Sequence, residues 1–304
     1  MSTSQSERSV TTINSPTARL KDNFKRKWYL FSRNKLSVFG LVIIAAVILM
    51  AILAPWITPY PADAGVGVNY ADASLPPSVE HLCGTDPYGR DIFTRIIFAF
   101  QGALKLPIVV LAISIPFGVF LGLMAGYNKG KMADTIIMRI TDVFLSVPPT
   151  LLALAVAAVL EPNMTNTMIA VTVMWWPWYT RIVYNTASSL KNEYFVISSE
   201  LIGASKMHIL FCEILPNCLS PIFTKMALDV GWVILIGATL SFVGLGEQPP
   251  TPALGQMLSS GIDYMPDYWW MTIFPAIAIA IIILGFNLFG DGVKDALSRG
   301  EKEK

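Results

Sequence analysis

From Gly40 to Trp56 no position carries a charge, and directly ahead of that run Arg19 to Lys35 holds seven Lys or Arg against one Asp. An apolar stretch of about 20 residues crosses a ~30 Å hydrocarbon core as a helix, and Lys/Arg excess at its end marks the cytoplasmic side. The amino terminus is therefore expected inside. A cleaved signal peptide fits less well, because the polar lead is some 35 residues long and the run ends in Pro55-Trp56 instead of a small-residue cleavage site.

The composition agrees with a polytopic membrane protein. The chain is 54% hydrophobic and 14% charged, with mean hydropathy +0.55, where soluble chains average about 25% charged residues. Net charge is only +1, which gives no indication of nucleic-acid binding. Five further apolar segments lie at about 99–126, 133–160, 167–189, 219–243 and 269–290. Six spans put both termini on one side, and the basic residues test that arrangement. Of 22 Lys and Arg, eighteen fall at positions it makes cytoplasmic, whereas the outer loops hold only Arg90 and Arg95; Lys105 and Lys225 lie near span ends. No segment alternates as a transmembrane barrel strand does, so the expected fold is all-α with six transmembrane helices and both termini cytoplasmic. The organisation that follows is a basic segment 1–35, a first span 36–57, an extracytoplasmic loop 58–97, a five-helix body 98–292 and a tail 293–304, with an inner loop at 190–217.

Several function classes drop out. Cys83 is placed outside while Cys212 and Cys218 are placed at the inner side, and His81 and His208 are likewise separated, so neither a disulfide framework nor a metal-ligand cluster is expected. There is no GxxxxGK[ST] phosphate loop, and no Ser/His/Asp set converges without crossing the bilayer. Nothing suggests an active site, so energy for any uphill work must come from a partner.

Ionisable residues at membrane depth are few, as they are costly there and usually functional. Asp134, Arg139 and Asp142 cluster at the inner end of the third span, where Arg139 and Asp142 are spaced to pair on one helix face. Asp229 lies deeper in the fifth, where it either receives a substrate amine or bonds to a neighbouring helix. If the fifth span lines a path, Met226, Asp229 and Trp232 at i, i+3 and i+6 are the lining candidates, against core packing as the alternative.

The inner loop, KNEYFVISSELIGASKMHILFCEILPN at 191–217, is too long for a turn. Tyr194 to Ile202 reads as a short helix, Gly203 as a sharp change of direction, and Ala204 onward as a second helix ending at Pro216. With little positive charge to hold it on lipid, this knob suits a protein groove. In the outer loop, Gly84 to Asp91 (GTDPYGRD) predicts a fixed turn in which Asp86 or Asp91 satisfies backbone donors and Arg90.

The inner loop resembles the cytoplasmic loop of bacterial ABC importer permeases, whose signature is Glu-Ala-Ala, three residues, Gly, then a hydrophobic position and Leu-Pro. Gly203, Leu215 and Pro216 match, while Ile197, Ser198 and Ser199 stand at the Glu-Ala-Ala positions. RNKLSVFGLVII, HLCGTD continuing to Gly89-Arg90-Asp91, SFVGLGEQPPTPALGQML and NLFGDGVKDAL narrow the resemblance to the peptide/nickel group, in particular the subunit with an extra amino-terminal span. The resemblance implies type I ABC importer permease architecture in the bacterial cytoplasmic membrane, with 98–292 as the permease core and the first span peripheral. It implies a non-enzymatic subunit that works by ATP-driven alternating access with a second homologous permease, two cytoplasmic ATPases and an extracytoplasmic solute-binding protein. ATP and Mg are then bound by those partners, and this chain holds no cofactor or metal. The coupling residues it implies are Phe195, Ser198, Ser199, Leu201, Gly203, Ala204, Ser205, Leu215 and Pro216, and the outer-loop motif is Gly84, Thr85, Asp86, Gly89, Arg90 and Asp91. Dipeptides or oligopeptides lead as substrate, with nickel chelates, glutathione or sugars as alternatives. An ion-coupled secondary transporter would need more intramembrane carboxylates and a repeated half, and a membrane scaffold would not need a Gly-hinged loop.

Overall fold

The computed structural model describes residues 25–26 and 28–302, so most of the basic amino-terminal segment lies outside the described residues. Among these residues the architecture is helical, with one isolated bridge between Thr85 and Asp91.

Helix α1, Lys35–Ile57, begins where the Asn34 side chain accepts from the Leu36 N–H at 3.1 Å. Ser37, Gly40, Ile44, Val47, Ala51 and Ala54 recur every three or four residues and are buried on one stripe. That stripe packs on α9, Trp270–Lys302. Small residues allow the approach: a Cβ on Gly40 would lie 2.8 Å from the Gly285 carbonyl oxygen. Phe39, Val42, Leu49 and Ile52 on the other side are exposed and apolar, a surface matched to lipid.

Helix α2, Ile92–Tyr127, starts ahead of the expected position 99 because Asp91 caps it, accepting from the Thr94 N–H at 2.7 Å. Its 36 residues reach ~54 Å at 1.5 Å per residue, well beyond a ~30 Å core. Gly118, Gly122 and Gly126 face α5, Met164–Leu190, where added Cβ atoms would lie 2.5 Å from the Trp176 carbonyl oxygen, 2.7 Å from that of Thr180 and 2.7 Å from the Ala187 Cβ. Among the described residues these two helices form the most extensive pair, and the glycine stripe is why they can.

The expected span at 133–160 is not one straight helix. α3, Met132–Ser146, and α4, Pro149–Val159, meet at 91°. Val147 and Pro148 each precede a proline and are pushed to extended ψ of 133° and 131°, which ends α3. Among the described residues four helices, α1, α2, α9 and Lys206–Phe242 (α7), are long and apolar enough to cross a membrane, and the bent pair makes a fifth. α5 is long but less apolar, because it sits between α2 and α7 and buries Thr167 and Thr180 against protein.

The expected break at Pro216 is also absent. After α6, Tyr194–Leu201, a single helix α7 runs Lys206–Phe242, with π-helical turns at Ile209–Ile214. The widened turns directly precede Pro216 and make room for its ring against the carbonyl four residues back. The loop from Lys206 onward and the fifth apolar segment are therefore one rod. α8, Leu254–Ile262, packs on α7 and α9, and α9 continues beyond the expected end at 290 to Lys302.

Two apolar clusters hold this together. One joins α2, α5 and α7 through Val110, Leu123, Tyr179 and Leu240 and takes in Val196, Ile209 and Ile214 of the inner loop. The other joins α1, α2, α8 and α9 through Val47, Ile92, Leu254 and Ile282.

Candidate functional site

The knob at 191–217 is built on one anchor and one turn. Val196 is fully buried in the α2/α5/α7 cluster and pins α6, while the Tyr127 hydroxyl at the end of α2 donates to Glu200 Oε1 at 2.7 Å. α6 then ends in a Schellman turn: the Ala204 N–H bonds the Ser199 carbonyl and the Gly203 N–H bonds that of Glu200, both at 3.0 Å. That geometry needs a left-handed residue, and Gly203 supplies φ +82°. No atom lies within 4 Å of a Cβ built there, so within this chain only the backbone conformation opposes a side chain. Ser205 caps α7, accepting from the His208 N–H at 3.3 Å.

Of the other sequence-designated coupling residues, Phe195, Ser198, Leu201, Ser205 and Pro216 are exposed and Ser199, Ala204 and Leu215 half-buried, the last two packed on the core cluster. Tyr194, Leu201 and Ile202 are 88%, 82% and 85% exposed, an apolar surface that this chain leaves uncovered. The anchors Val196, Tyr127 and Glu200 went unnoticed in sequence. The period of α6 points to Val196, but no local signal marks Tyr127, which lies more than 70 positions upstream.

The motif at Gly84 to Asp91 is a dense hydrogen-bonded cap. Asp86 Oδ1 accepts from the backbone N–H groups of Tyr88 at 2.9 Å and Arg90 at 3.0 Å, and Oδ2 from Arg90 Nε at 2.7 Å. Thr85 is fully buried, donating to the Asp72 carbonyl and accepting from the Leu75 N–H. Gly84 and Gly89 both have φ +73°, and a Cβ on Gly89 would overlap the Asn69 carbonyl oxygen at 1.7 Å. Asp91, besides capping α2, meets His81 Nδ1 at 3.0 Å, and its N–H donates to Asp63 Oδ2 at 2.8 Å. Arg95, read as an outer-loop residue, instead sits 2% exposed in the first turn of α2, donating to the carbonyls of Asp63 at 2.8 Å and Pro250 at 3.3 Å. It ties the loop after α1 to the segment before α8. Burial, followed by the Asp91 carboxylate, pushes the Cys83 thiol up to about 11.

The candidate path residues do not share one environment. Asp229 is 1% exposed and accepts from Trp175 Nε1 at 2.9 Å and Lys225 Nζ at 2.5 Å. Trp232 is 58% exposed. Met226 turns to an apolar cavity of about 890 Å³ lined also by Leu104, Pro107, Phe223 and Phe286. Each step of three residues rotates 60° short of a full turn, so i and i+6 lie some 120° apart and the stripe diverges. The expected pairing of Arg139 with Asp142 is likewise replaced: Asp142 pairs with Arg181 of α5, and Asp134 accepts from the Gly130 N–H at 2.8 Å. Among the described residues no group of three or more His, Cys, Asp or Glu is placed to hold a metal.

Residues 118–303 match the family described as binding-protein-dependent transport system inner membrane component, and residues 23–77 match the N-terminal TM domain of oligopeptide transport permease C. The chain is 37% identical to a probable D,D-dipeptide transport system permease protein of Escherichia coli (strain K12) over 93% of each chain. It is 38% identical to a dipeptide transport system permease protein of Haemophilus influenzae over 89% of this chain and 92% of that one. Among solved structures, the inward-facing MetNI methionine ABC transporter shares the fold at TM-score 0.54 and 17% identity, over 68% of this chain and 97% of that one.

Proposed function

The chain belongs to the binding-protein-dependent transport system inner membrane components, in the group of peptide permeases with an extra amino-terminal membrane segment, and on that premise we propose how it works as the permease subunit of an ABC importer that moves dipeptides or oligopeptides into the cytoplasm. The observation that carries the mechanism is the continuity of the knob with the span. An apolar surface at Tyr194, Leu201 and Ile202 stands exposed beside a glycine turn, and the helix that follows runs unbroken into the membrane as α7. A groove between the lobes of a partner ATPase covers that surface. Closure of the ATPase pair on ATP then moves the knob, and α7 transmits the movement as a rod, exchanging inward-facing for outward-facing access. ATP and Mg belong to the partner ATPases, and this subunit contributes no hydrolytic step.

The assembly comprises this chain, a second homologous permease, two ATPases and a solute-binding protein that delivers substrate to the face carrying the Gly84–Asp91 cap. Six crossings with both termini cytoplasmic follow if the bent α3–α4 pair and the protein-enclosed α5 each count as one. The lining role falls to the exposed face of α7 that bears Trp232. Met226 and Asp229 flank it, the first on an apolar cavity and the second holding α7 to α5.

The test is uptake of a labelled dipeptide into vesicles holding the reconstituted complex. Uptake should require ATP, both ATPases and the binding protein. Uptake driven by an ion gradient without ATPases would sink this reading in favour of a secondary transporter. Ser205→Arg should lower ATPase co-purification by placing charge on the exposed knob, and Ala204→Asp should lower it by setting charge where Ala204 packs on the core cluster.

A further inference from the structure

Two ion pairs sit on the neighbouring helices α5 and α7, and neither is fully enclosed. Arg181 lies nine residues before the inner end of α5 and Lys225 nine residues after Pro216 in α7, each ~14 Å along its helix. The Arg181 side chain is 38% exposed and its partner Asp142 on α3 is 42% exposed. Lys225 is 26% exposed while its partner Asp229 is 2% exposed. Trp178 lies three residues before Arg181 on α5, and the Lys225 ammonium stands 5.4 Å from its ring centroid. Arg181 and Lys225 fall within the apolar segments 167–189 and 219–243, toward their inner ends, where open charge is disfavoured against lipid. This face therefore meets water or a protein partner, unlike the purely apolar cavity that another face of α7 shares with α1, α2 and α9.

We propose that Lys225 and Arg181, over Trp178, form a station on the inner half of the path that receives the carboxylate of a passing peptide; this rests on the peptide-importer reading above. The asymmetry of the Lys225–Asp229 pair supports it. Asp229 Oδ2 is independently held by Trp175 Nε1 at 2.9 Å, so Lys225 can turn toward a substrate without leaving that carboxylate unpartnered. A peptide is a zwitterion whose charges resist an apolar passage. Asp142, exposed beside Arg181, offers the complementary site for its ammonium group.

The test uses the reconstituted complex and the dipeptide alanyl-alanine, with wild-type uptake as the control: no ATP-dependent uptake by wild type would refute the importer reading itself. Lys225→Gln should lower uptake at least tenfold while ATPase stimulation by loaded binding protein persists, and Lys225→Arg should stay within threefold of wild type. Unchanged uptake in Lys225→Gln, or loss in an assembled Lys225→Arg complex, would overturn the proposal. If Lys225 only neutralises Asp229, Lys225→Gln combined with Asp229→Asn will recover uptake; the station requires that the double variant stay defective. In a chain with Cys83, Cys212 and Cys218 changed to Ser, Lys225→Cys should regain uptake after aminoethyl methanethiosulfonate and not after the sulfonatoethyl reagent. Failure to label, or equal recovery with both, would also overturn it.

Discussion

The two ends of α2 enter polar surroundings of opposite design. At the amino end, Asp91 caps the helix inside a network in which Asp63, Asp86, Arg90, Arg95 and Thr85 satisfy one another and the backbone. At the carboxyl end, Tyr127 reaches the knob through a bond to Glu200, and beyond it the knob exposes Tyr194, Leu201 and Ile202. The cap completes itself, whereas the knob keeps its shape through a turn, an anchor and a cap residue and leaves its apolar surface uncovered by this chain. Parts that bind and move are drawn from the less internally bonded end of a structure.

Gly89 and Gly203 put this contrast to its sharpest test, since both have positive φ but differ in what surrounds them. Gly89→Ala should have the largest effect, roughly 2–4 kcal/mol, from left-handed strain plus overlap with the Asn69 carbonyl. Limited trypsin treatment of the assembled complex should then cleave at Arg90 many times faster than in wild type; continued protection would mean the cap is not braced as described. Gly203→Val meets no overlap, so its local cost is only about 1–2 kcal/mol of backbone strain. It should leave the spans inserted yet lower ATP-dependent uptake more than tenfold, and normal uptake with intact assembly would contradict the coupling role.

Smaller effects sharpen the contrast. Asp91→Ala removes the α2 cap and should cost about 0.5–2 kcal/mol, again read as faster cleavage at Arg90, with ATPase co-purification unaltered. Glu200→Ala should loosen the knob by about 0.5–1.5 kcal/mol, seen as reduced ATPase co-purification without new cleavage at the cap. If either substitution affects the opposite end equally, the two regions are not independent. The mildest expectation concerns Cys83. Its thiol, pushed up to about 11, carries little thiolate at neutral pH and should be alkylated far more slowly than exposed Cys212, with labelling accelerating as pH rises above 9. Equal rates at pH 7 would show the cap to be open.

Local pattern was enough for the features that depend on neighbours in the chain. The apolar runs located the four membrane-length helices, and the glycine between two amphipathic stretches located the turn at Gly203, because hydropathy and left-handed backbone preference are properties of short segments. The turn at Gly84–Asp91 was legible for the same reason, since Asp86 serves donors two and four residues on. What the sequence alone did not decide was which side chains meet across helices. Arg139 was the near neighbour of Asp142, but Arg181 on α5 takes it; Pro216 looked like a helix end, but π turns carry α7 through it; and the 133–160 run looked like one span, yet consecutive prolines bend it by 91°. The close contact of α2 with α5 through Gly118, Gly122 and Gly126, and the position of Arg95 between two distant loops, exist only once the helices are packed. Tertiary structure settled these because the energy of an ion pair or a backbone contact depends on distance in space, which a spacing along the chain constrains only within a single helix.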